Sequence, residues 1–118
     1  MKKNRVTPNR YLIVPNTIDF EDQMWSHNSR NVIVTTITNE QMWVLLDTAF
    51  LDINEEFDIY ITVYEEECIH YDQIDKALEI CNRWLGKLKK QTCIDGLKKV
   101  IYMLNLAKEK KTCLQLSL

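Results

Sequence analysis

The chain has 118 residues, 46% of them hydrophobic and 27% charged, with a net charge of −2, which are the proportions of one globular domain and exclude a disordered chain or two domains. No apolar run reaches the ~18 residues needed to cross a bilayer. The basic opening Met1-Lys2-Lys3-Asn4-Arg5 is followed by neither an apolar stretch nor a small-residue cleavage site, so a cytoplasmic protein with no membrane partner is expected.

Residues 1–10 are basic and polar and are expected to fray. Tyr11-Leu12-Ile13-Val14 is a short apolar run stopped by Pro15, a candidate strand. Residues 16–30 (NTIDFEDQMWSHNSR) follow neither the helical nor the strand period and read as a loop that tucks Ile18, Phe20, Met24 or Trp25 against the core. Val32 to Ile37 (VIVTTI) is β-branched and reads as a strand. Thr38-Asn39-Glu40-Gln41 fits a capping box, with Thr38 accepting from a first-turn N–H and Gln41 reaching back. Behind it Met42, Leu45, Leu46, Ala49, Phe50 and Ile53 predict one face of one helix. Trp43, Val44 and Leu51 lie off that face, so the helix is either deeply buried or offers a surface to a partner.

Phe57 to Tyr64 (FDIYITVY) alternates strictly and reads as the clearest strand, with Phe57, Ile59, Ile61 and Val63 on one side. Two helices follow. The first has Asp72 as its N-cap and a stripe of Ile74, Leu78, Cys81, Leu85 and Leu88, flanked by Ala77 and Trp84. The second runs from about Cys93 to Glu109 on Leu97, Val100, Ile101, Leu104 and Ala107. Cys113 to Leu118 (CLQLSL) closes the series as a strand. The order predicts a single α+β domain over residues 1–118, a two-layer sandwich in which about three helices pack mainly on one face of a three- or four-stranded sheet. The strand order and the oligomeric state are left open by the pattern.

Scarce residues narrow the function. The two glycines, Gly86 and Gly96, both fall in helical segments, so neither a phosphate-cradling loop nor a nucleophile elbow can be built. The four cysteines, Cys68, Cys81, Cys93 and Cys113, match no Cys-x-x-Cys spacing and are expected as buried, reduced thiols.

Charge is segregated along the chain. From Asn31 to Asp75 there are eleven acidic residues (Glu40, Asp47, Asp52, Glu55, Glu56, Asp58, Glu65, Glu66, Glu67, Asp72, Asp75) and no lysine or arginine. From Lys76 to Leu118 ten basic residues face three acidic ones, Glu79, Asp95 and Glu109. Either the C-terminal lysines neutralise the middle carboxylates in solvated pairs, or an acidic patch survives and steers a basic partner. With a sequence pI near 5.7, direct binding to nucleic acid is not expected.

Cys68-Ile69-His70 is the one place where a thiol and an imidazole fall close together, and it is the alternative site for a small enzyme or ligand-binding domain, with Asp72 or Glu66 as an orienting group. Three neighbouring glutamates would raise the thiol pKa, which opposes activation. Glu65, Glu67, Cys68, His70 and Asp72 do not have the spacing of a structural zinc motif, and His27 reads as a loop residue. No catalytic residue, metal ligand or cofactor is assigned. The aromatic residues Trp25, Trp43, Trp84, Tyr60, Tyr64 and Tyr71 are expected mostly as core or half-buried packing, although aromatics beside carboxylates also describe protein contacts. The surface expected to bind a partner is therefore Tyr64, Glu65, Glu66, Glu67 and Tyr71, with Asp52, Glu55, Glu56 and Asp58 as a second cluster. The two clusters are expected at opposite ends of the Phe57–Tyr64 strand, roughly 26 Å apart.

The stretch FDIYITVYEEECIHYDQIDKALEICNRWL, with the ending LNLAKEKKTCLQLSL, resembles the style of small bacterial immunity proteins encoded beside contact-dependent and other polymorphic toxins. The resemblance covers about half the chain and rests on a tyrosine-rich strand, an acidic exit, paired helices and a terminal strand, without a shared residue motif. It implies a non-catalytic, cytoplasmic protein that binds and blocks a toxin domain, commonly a basic nuclease, through an acidic surface. A structural or adaptor subunit is the remaining alternative.

Overall fold

Arg10 to Pro15 and Val32 to Ile37 form strands β1 and β2 of an antiparallel pair, in which Leu12 stands opposite Thr35 and Val14 opposite Ile33. The computed structural model describes residues 10–17 and 31–118. The loop reading of residues 18–30, with Ile18, Phe20, Met24, Trp25 and His27, lies outside the described residues. So does the fraying of residues 1–9, while Arg10 already belongs to β1. Two more strands, β3 (Glu67–Ile69) and β4 (Leu114–Ser117), complete a four-stranded sheet in the order β2-β1-β4-β3, every pair antiparallel. This is the α+β fold expected from the sequence.

One sheet face presents Leu12, Val14, Ile69, Leu114 and Leu116, and the long helix α4 (Gln91–Lys110) packs against it; α1 (Asn39–Asp47) and α3 (Ile74–Leu85) lie on α4, and α2 (Ala49–Phe57) bridges α1 and α3 in the same core. The stripes expected from the sequence supply most of their buried residues, among them Met42, Leu45, Phe50 and Ile53, then Ile74, Ala77 and Cys81, then Leu97, Val100, Leu104 and Ala107; Ile80 and Met103, outside those stripes, are also fully buried, while Leu78, Leu85, Leu88 and Ile101 are only partly so. Ile13 and Gln115 stand on the opposite face and are also buried. Among the described residues, the Gln115 side-chain carbonyl oxygen has no hydrogen-bond partner there.

Three sequence expectations are corrected. The helix over residues 39–53 is two helices, because Thr48 adopts φ −128° and ψ −99° and turns its hydroxyl back onto the Val44 carbonyl at 2.7 Å. Asp72 does not cap α3. It is exposed in a 3-10 turn, Tyr71–Gln73, that leads into that helix. The third correction concerns Phe57–Tyr64, which is not a strand: Phe57 ends α2, Asp58 takes the left-handed conformation (φ 57°) and residues 59–66 are irregular. Ile61 is nonetheless buried, and Ile59 and Val63 half-buried, so the alternation is real. Extended backbone with one buried side is all that alternation requires. The hydrogen bonds come from side chains instead of a neighbouring strand.

The Thr38 capping box forms as expected: Gln41 N–H donates to Thr38 Oγ1 at 3.1 Å, and Thr38 N–H donates to Gln41 Oε1 at 2.9 Å. Gln41 Nε2 then donates across to the Thr92 carbonyl of α4 at 3.0 Å. Its aliphatic stem lies where a Cβ on Gly96 would sit, 2.8 Å from Cγ and 2.9 Å from Cβ. With its amide held at both ends, Gln41 cannot swing aside. Gly96→Ala is therefore expected to cost about 1–2 kcal/mol, because overpacking outweighs the better helix propensity. At Gly86, which ends α3 in an ordinary right-handed conformation, an added Cβ meets nothing closer than the Arg83 carbonyl oxygen at 3.8 Å. Gly86→Ala should stabilise by roughly 0.4–1 kcal/mol. Urea titrations of the two variants should give opposite signs, and equal signs would contradict this packing of α1 on α4.

Candidate functional site

Two side chains hold the irregular segment that replaces the expected strand. Asn54, on α2, grips Ile61 from both sides of its amide: Ile61 N–H donates to Oδ1 at 2.7 Å and Nδ2 donates to the Ile61 carbonyl at 3.2 Å. Glu67, at the start of β3, accepts from Tyr60 N–H at 3.0 Å and from Cys68 N–H at 2.9 Å. Between these clamps the chain projects outward, with Tyr64 N–H held by Thr62 Oγ1 at 3.1 Å. Tyr64 is 89% exposed, Tyr60 64% and Trp43, on α1, 54%. Trp43, Leu46, Ile61, Val63 and Tyr64 line a groove of about 310 Å³.

The expectation that the aromatics would serve mainly as packing is thus corrected for Trp43, Tyr60, Tyr64 and Tyr71, all exposed, while Trp84 is half-buried. Trp43 was legible in the sequence as an apolar residue off the helical stripe. Its pairing with Tyr64 across a groove was not, because that depends on the irregular segment.

The acidic residues divide by what they hold. Asp52 accepts from Trp84 Nε1 at 2.6 Å and shares a polar cleft of about 330 Å³ with Glu55, Glu56 and Arg83. Glu67 is committed to the backbone of residues 60 and 68. Glu55, Glu56, Asp58, Glu65 and Glu66 are exposed, and Glu66 makes one long contact, Ser117 Oγ at 3.4 Å. Tyr71 is exposed in the turn after β3. The separation of the two acidic clusters by an extended strand is corrected as well: the Glu67 carboxylate reaches the amide of Tyr60, only two residues beyond Asp58.

Neutralisation by the C-terminal lysines is limited. Among the described residues, two of the eleven middle acids are in ion pairs, Asp75 with Lys108 at 2.6 Å and Glu40 with Lys90. In each pair the hydrogen bond to the carboxylate, helped by its charge, raises the lysine pKa. A third pair, Lys76 with Glu79 at 3.4 Å, lies within α3. Asp58, Glu65 and Glu66 form no ion pair among the described residues.

Cys68 is buried in β3, while His70 is exposed and caps the following turn, its N–H donating to Gln73 Oε1 at 2.9 Å. No three His, Cys, Asp or Glu side chains come together as a metal site among the described residues. All four cysteines are buried and none is joined in a disulfide. Burial pushes the Cys81 thiol from its ordinary 9.0 up to about 12, so it stays protonated and unreactive. No helix among the described residues is long and apolar enough to cross a membrane. Comparison with protein-family models, with curated proteins and with solved structures finds no match.

Proposed function

We propose that this chain is a non-catalytic protein-binding domain whose acidic, aromatic surface takes a basic protein. Its most concrete form is an immunity protein that neutralises a bacterial toxin domain. The observation that carries the reading is the coincidence of exposed anchors, Trp43, Tyr60 and Tyr64, with carboxylates that form no ion pair among the described residues, Asp58, Glu65 and Glu66 beside them in sequence and Glu55 and Glu56 on α2, where Arg83 shares their cleft without pairing. Aromatic side chains supply contact area at small entropic cost, and a charged rim selects the sign of the partner and speeds encounter. The same charge disfavours direct contact with nucleic acid.

The test is a charge reversal confined to exposed positions: Glu55→Lys, Glu56→Lys, Glu65→Lys and Glu66→Lys together. Asp52 and Glu67 stay, because their carboxylates hold Trp84 and two backbone amides. The melting temperature should move little, since exposed charges contribute little to stability. Association with the partner that co-purifies from the source organism should slow at least about tenfold at low salt and lose most of its salt dependence. A variant that associates as fast as the parent overturns the acidic-surface reading. The immunity form is tested separately by co-expression with a toxin domain encoded beside this chain, where growth should be restored; continued growth arrest would reject it.

A further inference from the structure

The two edges of the sheet are finished differently. At β3 the strand is three residues long and its one outward-facing amide, that of Cys68, is covered by the Glu67 carboxylate. At β2 the register fixes which groups look outward. Asn16 N–H donates to the Asn31 carbonyl at 2.8 Å, so the pairs in step with it, Val14–Ile33, Leu12–Thr35 and Arg10–Ile37, exchange the ladder bonds. Val32, Val34 and Thr36 therefore turn their N–H and carbonyl groups away from β1. Lys99 Nζ takes the Thr36 carbonyl at 2.8 Å. The amide and carbonyl of Val34 and the amide of Thr36 have no partner among the described residues.

Beside this edge runs a groove of about 400 Å³, floored by Ile33, Thr35 and Met103 and walled by Lys98, Lys99 and Tyr102 of α4. Asp95, at one end, holds Gln91 Nε2 at 2.9 Å. Lys98 and Tyr102 are exposed, and Lys98 makes no ion pair among the described residues.

We propose that the β2 edge is a strand-addition site for an extended, acidic segment of another protein, seated antiparallel or parallel to β2 and centred on Val34. Only an extended main chain matches a row of N–H and carbonyl groups, and alternate side chains of the added strand would project over the groove toward Lys98 and Tyr102. Carboxylates at those positions meet the lysine charge. A second copy of this chain is the weaker occupant, because lysine beside a free edge repels an identical edge. The site is separate from the acidic surface and does not rest on the proposed function.

The probe is the peptide acetyl-Thr-Val-Glu-Val-Glu-Val-Thr-amide, followed by amide chemical shifts of the labelled whole chain. A counterpart with lysine in place of glutamate is titrated in parallel. Shifts should centre on the amides of Val34 and Thr36, with binding by the acidic peptide at least about tenfold tighter than by the basic one. Lys98→Glu, on an exposed helix position, should reverse that order while leaving the fold intact. Absence of a Val34 shift at millimolar acidic peptide, or equal binding of both peptides, overturns the proposal. Val34 shifts that appear with protein concentration alone identify a second copy as the occupant and overturn it too.

Discussion

Phe50→Ala is expected to remove about 3–5 kcal/mol of stability, measured by urea unfolding. Phe50 is fully buried in α2, a helix of nine residues. A helix that short is marginal in water by itself, so its residence in the fold depends on the apolar face formed by Phe50 and Ile53. The ring cannot be replaced by collapse of its neighbours, since Met42, Leu45 and Ile61 belong to the same fully packed cluster. Against a typical total of about 5–15 kcal/mol, a loss of that size leaves a domain close to unfolding. Leu51→Ala on the same helix, at a site 46% exposed, should stay within about 0.5 kcal/mol. A loss below about 1 kcal/mol at Phe50 would mean that α2 is not seated as described.

The second large effect belongs to Asn54, and it reaches the candidate surface. Asn54→Ala leaves the N–H and the carbonyl of Ile61 without partners at a residue only 2% exposed. Each orphaned buried group costs about 1–3 kcal/mol, so a total near 2–4 kcal/mol is expected. The loss should be local as well as global: hydrogen exchange at the Ile61 amide, slow in the parent, should accelerate more than exchange in α4. Asn54→Asp retains an acceptor for the Ile61 amide but sets a carboxylate against its carbonyl, so it should recover only part of the loss. Since Ile61, Val63 and Tyr64 line the groove with Trp43, either variant should also weaken partner binding without touching an acidic residue. Unchanged exchange at Ile61 would show that the clamp is not what holds the segment.

The sequence made the core and the helices legible because burial repeats with the helical period. The Thr38–Gln41 capping box and most of the stripes on α3 and α4 were readable from spacing alone, though the buried face takes Ile80 and Met103 in addition and holds Leu78, Leu85 and Ile101 only at its margin. The break at Thr48 was not, since threonine is common inside helices and only its hydroxyl bond to Val44 reveals the interruption. Phe57–Tyr64 misled for a specific reason. Its alternation reports a buried side, and a strand partner is only one way to satisfy such a backbone; Asn54 and Glu67 supply another. β3, three residues long, is too short for any period to register. At the candidate surface the residue types were legible, while the roles of Asp52 and Glu67 as structural acceptors required their partners, Trp84 and the amides of residues 60 and 68, to be seen in place.

The strand order has a consequence for how the protein is made. β4 lies between β1 and β3, so Leu116 pairs with Leu12, and Leu114 with Ile69. On a ribosome adding roughly 5–20 residues per second, both partners emerge seconds before the strand that joins them. Until Leu114–Ser117 leave the exit tunnel, β1 and β2 are a two-stranded ribbon of marginal stability and β3 has nothing to pair with. Leu12, Val14 and Ile69 therefore wait without a complete sheet while four amphipathic helices have already been synthesised. The complete sheet thus assembles only after its last strand has been translated, and until then the sheet face of Leu12, Val14 and Ile69 lacks Leu114 and Leu116.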